Sequence, residues 1–259
     1  MELIKKTIRV GNSAGVLLPL DWYGSYVKVI LEKPSPSKEV IEILMRYNLL
    51  GDVIGVYIVG SYARNEQIEY SDVDILVITE STNKKIKEGL YEIICISKEN
   101  LEKQLENNAF PVLPMLKEGK AIINSNMQEK YSNTKINAQN IGIQIKTTKS
   151  AMKIVGEDIK FSKENNEKVS DASAYSLVLR LRTLYLIECL KKGKMWSKNE
   201  FLNIIKKISG SNIAYERYLS SKNKNTMKNE LNIEEAEKLL NHIKIKTEEI
   251  EKWLLEKKD

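Results

Sequence analysis

Asp72 and Asp74 stand two residues apart in Ser71-Asp72-Val73-Asp74-Ile75-Leu76-Val77. On an extended strand, residues at i and i+2 point to one face, so the two carboxylates share a side. Like charges held that close are costly unless a cation lies between them. Hard divalent cations with oxygen ligands, Mg²⁺ above all, meet that need. Upstream, Gly60-Ser61 closes a second apolar run, Val53 to Val59. A glycine there lets backbone N–H groups approach an anion, and a serine hydroxyl can bond a phosphate oxygen. Arg64 adds a charge suited to a polyphosphate. A Gly-Ser turn facing an Asp-x-Asp strand reads as a metal–triphosphate site, in which metal ions align a leaving pyrophosphate and polarise phosphorus.

Several elements must position these residues. Val53–Val59, Ser71–Ile78 and Tyr91–Ser97 read as strands, and a short strand at Ala121–Ile123 ends the same module. A helix is expected over Lys38–Asn48, capped by Ser37, with Val40, Ile43, Leu44 and Tyr47 as its apolar stripe. A second is expected over Asn100–Asn107. Before them, residues 2–32 read as three short strands, the second at Val16–Pro19 and the third at Tyr26–Leu31. From about residue 135 the pattern is helical. Ile141, Ile145, Thr148, Met152, Val155 and Ile159 recur at steps of three and four. Ser170 starts a helix that stops at Gly193, and Ser197-Lys198-Asn199-Glu200 is a capping box for one that ends at Gly210. A last amphipathic helix runs from Asn232 to about Lys257.

Composition narrows the chemistry. The 259 residues contain one histidine, His242, which excludes His-rich metal sites and H-E-x-x-H proteases. Catalysis must then run on carboxylates, lysines, hydroxyls or bound metal. Cys95 and Cys189 lie far apart in apolar surroundings and read as reduced core thiols. No apolar run reaches the length of a membrane span, so no membrane partner and a soluble, cytoplasmic protein are expected. The net charge of +6 is unevenly spread: residues 51–145 carry −3 and residues 146–259 carry +7. An acidic middle suits cations, and basic flanks suit anions.

The string GSYARNEQIEYSDVDILV, residues 60–77, resembles the signature of the DNA polymerase β-like nucleotidyltransferases, especially the minimal ones of prokaryotes. Asn65 stands where that pattern has glycine, and asparagine tolerates φ > 0 better than other side chains. The resemblance implies transfer of a nucleoside monophosphate from an NTP, ATP first, to an acceptor hydroxyl with release of pyrophosphate. Gly60, Ser61 and Arg64 would bind the nucleotide. Asp72 and Asp74 would bind Mg²⁺ and be catalytic. The family uses a third carboxylate on a later strand as metal ligand or base. Glu92, entering the apolar strand Tyr91–Ile96, is the candidate for that metal and catalytic role. The acceptor stays open between a protein, an RNA 3′ end and a small hydroxylated molecule.

The flanks carry two further resemblances. Lys6 to Pro19, with Gly11-Asn12-Ser13-Ala14-Gly15-Val16-Leu17-Leu18-Pro19 at its heart, resembles the AbrB/MazE swapped-hairpin DNA-binding fold. That fold implies a homodimer and makes Lys5, Lys6 and Arg9 candidate phosphate contacts to DNA. Ser170 to Tyr185 is loosely similar to HEPN helical domains. HEPN ribonucleases need an Arg and a His a few residues apart, and His242 has no arginine near it, which argues against ribonuclease activity. The expected fold is therefore α+β. It comprises an AbrB-like β hairpin module (1–33), a polymerase-β-type nucleotidyltransferase domain with a mixed sheet and helices (37–130), and a C-terminal helical bundle (135–259). The alternative function is a DNA-binding, antitoxin-like regulator whose transferase fold binds nucleotide without turnover.

Overall fold

The computed structural model describes residues 3–5, 7–30, 35–67, 71–223 and 230–256. The chain divides into two compact units, Met1–Ser35 and Pro36–Asp259. In the first, β1 (Ile8–Val10) and β2 (Ser13–Gly15) form an antiparallel hairpin. Its register pairs Ile8 with Gly15 and Val10 with Ser13. Among the described residues two expected strands are not formed. Residues 16–19 and 26–30 form no ladder, and Leu31 lies outside the described residues. Apolar side chains here, among them Ile4, Leu17, Leu20, Tyr23 and Tyr26, stay exposed. Strand formation needs a ladder partner and a face to bury.

The second unit opens with α1 (Pro36–Arg46). It begins at Pro36, ahead of the expected Ser37 cap, because proline has a helical φ and lacks only an N–H that is unpaired at a helix start. Next come β3 (Val53–Val59), the single turn α2 (Gly60–Ala63), β4 (Val73–Thr79), β5 (Lys84–Glu88) and β6 (Tyr91–Ser97). Then follow α3 (Lys98–Asn107), α4 (Leu113–Glu118), β7 (Lys120–Ile123) and α5 (Ser125–Ser132). Five strands form one sheet in the order β5-β6-β4-β3-β7. The β4–β6 pair is parallel and the others antiparallel, so the sheet is mixed.

Both faces of this sheet are covered, which is why its central strands are apolar on both parities. Ile75 and Val77 of β4 pack with Val40, Ile43 and Leu44 of α1. Leu76 and Ile78 pack on the other face with Leu101 and Leu105 of α3 and Leu113 and Leu116 of α4. Asp74 shares the parity of Leu76 and Ile78. Asp74 therefore stands at the end of the α3–α4 face of β4, and Asp72 lies just before the strand.

The remaining elements are α6 (Ala138–Glu164), α7 (Asp171–Lys191), α8 (Lys198–Ser209), α9 (Ile213–Asn223) and α10 (Ile233–Glu256). Ile141, Ile145, Met152, Val155 and Ile159 of α6 are buried in one core with α7 and α10. Asn140, fully buried, fastens this bundle to the sheet domain. Its Oδ1 accepts from the Ala109 N–H at 2.9 Å, and its amide donates to the Glu106 carbonyl at 2.6 Å. The fold class is thus α+β, with a small N-terminal hairpin and a C-terminal helical region. Among the described residues, no helix is long and apolar enough to cross a membrane.

Candidate functional site

The ladder brings Gly60 and Asp74 together. Val59 pairs with Asp74 across β3 and β4, so the chain leaves β3 into Gly60 directly beside that carboxylate. Gly60 has φ 69°, a left-handed conformation that glycine adopts without strain. A Cβ at Gly60 would lie 2.2 Å from Asp74 Oδ2. No side chain fits there, and glycine is required twice over. Asn65, at φ 56°, takes the left-handed turn position that asparagine tolerates. Its Oδ1 accepts from Lys120 Nζ at 2.7 Å.

Asp74 is half-buried and Asp72, just before β4, is exposed. In the parallel β4–β6 ladder Asp74 is in register with Glu92, so the two project from one face on adjacent strands. Glu92 Oε1 accepts from Lys87 Nζ at 2.7 Å, and the two residues are themselves register partners across β5 and β6. The hydrogen bond to Glu92 raises the Lys87 pKa, as do the charges of Glu92 and Asp72. An ammonium thus sits among the acids. Among the described residues no three His, Cys, Asp or Glu side chains are gathered closely enough to hold a metal ion. Asp72, Asp74 and Glu92 are therefore not gathered into a closed trio, and Glu92 is bonded to Lys87. The donor chemistry still suits Mg²⁺: carboxylate oxygens only, with Asp74 set rigidly against a glycine.

Arg64 does something the sequence did not foretell. Its side chain is 12% exposed and is fixed by two carboxylates. Nε donates to Glu66 Oε2 at 2.8 Å and Nη1 to Glu118 Oε2 at 2.5 Å. Its guanidinium lies 4.3 Å from the centroid of the Trp196 ring. Burial disfavours the Arg64 charge, but Glu66 and Glu118 more than offset it and the pKa rises. Glu118 Oε1 in turn accepts from the Gly60 N–H at 2.7 Å. Ser61 sits on the same turn, partly buried.

Of the N-terminal candidates, Lys5 and Arg9 are exposed. Arg9 Nε donates to the Gly11 carbonyl at 3.0 Å, which braces the hairpin turn. Lys6 lies outside the described residues. In the helices, Tyr215 and Tyr218 pack with each other and Tyr215 with Phe201. Arg217 pairs with Asp171, and Arg180 bonds Thr147. His242 is half-buried on α10, and burial, aided by Lys246, lowers its pKa. Cys95 and Cys189 are buried free thiols, and burial pushes Cys95 up to about 11. Glu118, Trp196 and Lys87 belong to no motif in the sequence and are brought to the site by the fold. The signal for Glu118 was faint: it is the one acid in the apolar stretch Phe110–Ile123.

The family model of the nucleotidyltransferase domain matches residues 37–131. No curated protein matches the chain. Solved structures similar to it include the following two. A nucleotidyltransferase-like protein from Exiguobacterium sibiricum is 13% identical, with a TM-score of 0.38, over 82% of this chain and 74% of that one. A spectinomycin adenyltransferase from Enterococcus faecialis, solved with ATP and spectinomycin, is 15% identical, with a TM-score of 0.42, over 82% of this chain and 98% of that one.

Proposed function

We propose that the protein transfers a nucleoside monophosphate from an NTP, ATP first, to an acceptor hydroxyl. The observation that carries this reading is the packing of Gly60 against Asp74, within residues that match the nucleotidyltransferase domain. The acceptor oxygen attacks the α-phosphorus. A new P–O bond forms, the bridging P–O bond to the β-phosphate breaks, and pyrophosphate leaves. The hydroxyl proton passes to a carboxylate, for which Glu92 is the candidate once Lys87 releases it. Ser61 and the 60–64 turn orient the triphosphate. Asp72 and Asp74, with Glu92 as the third oxygen donor, would hold Mg²⁺. That ion would neutralise phosphate charge and stabilise the leaving pyrophosphate.

Residues 1–33 have a separate role in this proposal. Their exposed apolar side chains pair with those of a second copy, and Lys5, Lys6 and Arg9 meet DNA phosphates. Retention on DNA that falls steeply with salt and is lost in Arg9→Ala supports this. Absence of retention at low salt refutes it.

The main test offers each α-labelled NTP with Mg²⁺ to the protein together with total protein, RNA and small hydroxylated acceptors. Label should enter one acceptor class with release of pyrophosphate, and Asp72→Asn/Asp74→Asn should abolish it. Undiminished transfer by that double variant refutes the site. Tight NTP binding without pyrophosphate release would favour the regulator reading instead.

A further inference from the structure

The turn that faces Asp74 is also the joint between the sheet domain and the helices. Glu118 lies at its centre, with a side chain 5% exposed. A carboxylate so buried is costly unless donors hold it. Three do: the Gly60 N–H on Oε1 at 2.7 Å, and Arg64 Nη1 and the Trp196 indole N–H on Oε2 at 2.5 and 2.9 Å. Arg64 extends the chain to Glu66, whose Oε1 accepts from the Ser197 hydroxyl and the Lys198 N–H, both at 3.1 Å. Ser197 is the cap of α8 and Lys198 its first residue. Both ends of the turn are thus fastened, through carboxylates, to the segment that begins α8.

An apolar residue of similar volume at 118 could restore packing, since buried ion pairs are often replaceable at little cost to stability. It could not hold the Gly60 N–H in place. We infer that Glu118 is a positioning residue: it sets the Gly60–Ser61 turn against Asp74, and it makes that setting depend on Trp196 being seated. This rests on the proposed function in one respect, that the turn orients a triphosphate.

The test uses the full chain. Glu118→Gln keeps one oxygen, which suits the two donors Arg64 and Trp196, and turns an NH₂ toward the Gly60 N–H. Trp196→Phe removes the indole N–H and keeps a ring under Arg64. The KM for NTP should rise about tenfold in Glu118→Gln, with kcat within about threefold, because the turn binds ground and transition states alike. Trp196→Phe should raise KM about threefold, and the double variant should be little worse than Glu118→Gln alone, since both act through one carboxylate. A second measurement needs no turnover. Without nucleotide, amide hydrogen exchange over residues 60–66 should quicken in both variants while exchange in β4 stays slow. If the wild-type chain transfers no nucleotide but this quickening occurs, the proposed function falls and the positioning role stands. If exchange at 60–66 is unchanged in both variants, the inference is overturned. Lowered thermal stability with an unmoved KM overturns it as well.

Discussion

The N-terminal hairpin and the central sheet begin from similar sequences. Both alternate or cluster Val, Ile and Leu, and both are punctuated by Gly, Asn and Ser. They end differently. Leu76 and Ile78 of β4 are fully buried under helices, whereas Ile8 of β1 is 44% exposed and Val10 55%. The β hairpin has two three-residue strands and, among the described residues of its own unit, no covering layer, whereas β4 has a strand on each side. An apolar β pattern thus states a need for burial; it does not say which surface supplies it.

The comparison can be broken or sharpened by substitution. The largest expected effect is at Gly60. Gly60→Ala places a methyl against Asp74 Oδ2 at a left-handed φ. Transfer should fall by at least ~100-fold, as misplacement by an ångström does elsewhere. Turnover assays with labelled NTP read this directly.

Next is the core contrast. Leu76→Ala should cost about 2–5 kcal/mol in denaturant unfolding, the usual range for a buried leucine. Leu20→Ala should change unfolding of the single chain by less than about 0.5 kcal/mol. A large, concentration-dependent loss at Leu20 would show that a second copy covers it.

A smaller effect concerns the joint in acid. Burial raises the Glu66 pKa, but the hydrogen bond and charge of Arg64 more than offset this, so its carboxyl titrates below the ordinary value. Its contribution is therefore complete above the unfolded-state value and fades as pH falls through the lower folded one. Trp196 emission, followed in a Trp22→Phe/Trp253→Phe background, should stay constant at neutral pH and change below about pH 4.5, the ordinary glutamate range. Glu66→Gln should remove that acid transition.

The smallest effect is at Lys87. Lys87→Met frees Glu92 from its ammonium, and the concentration of Mg²⁺ needed for half-maximal transfer should fall about threefold, the scale of one exposed ion pair. An unchanged Mg²⁺ requirement would show that Lys87 does not compete with the ion.

Much of the helical region was legible because its signals are local. Ser170 caps α7, Gly193 and Gly210 take left-handed φ at the helix ends, and Asn232 caps α10 through the Glu235 N–H. The capping box at Ser197 formed only half-way. Ser197 accepts from the Glu200 N–H, but the Glu200 side chain bonds Tyr185 and Lys194 instead. β5 was missed because Lys84-Lys85-Ile86-Lys87-Glu88 has one apolar residue, and as an edge strand it buries only Ile86.

The sequence alone determined the Gly60–Ser61 turn, the apolar strand that carries Asp74, and most helix boundaries. Each follows from backbone geometry within a few residues. Only the tertiary structure decided that Glu92 stands beside Asp74, because that rests on a parallel register between non-consecutive strands. Only the tertiary structure, too, joined Gly60, Glu118 and Trp196, which lie far apart in the chain. A buried carboxylate must find its donors wherever packing brings them, and no local pattern in the sequence records where that is.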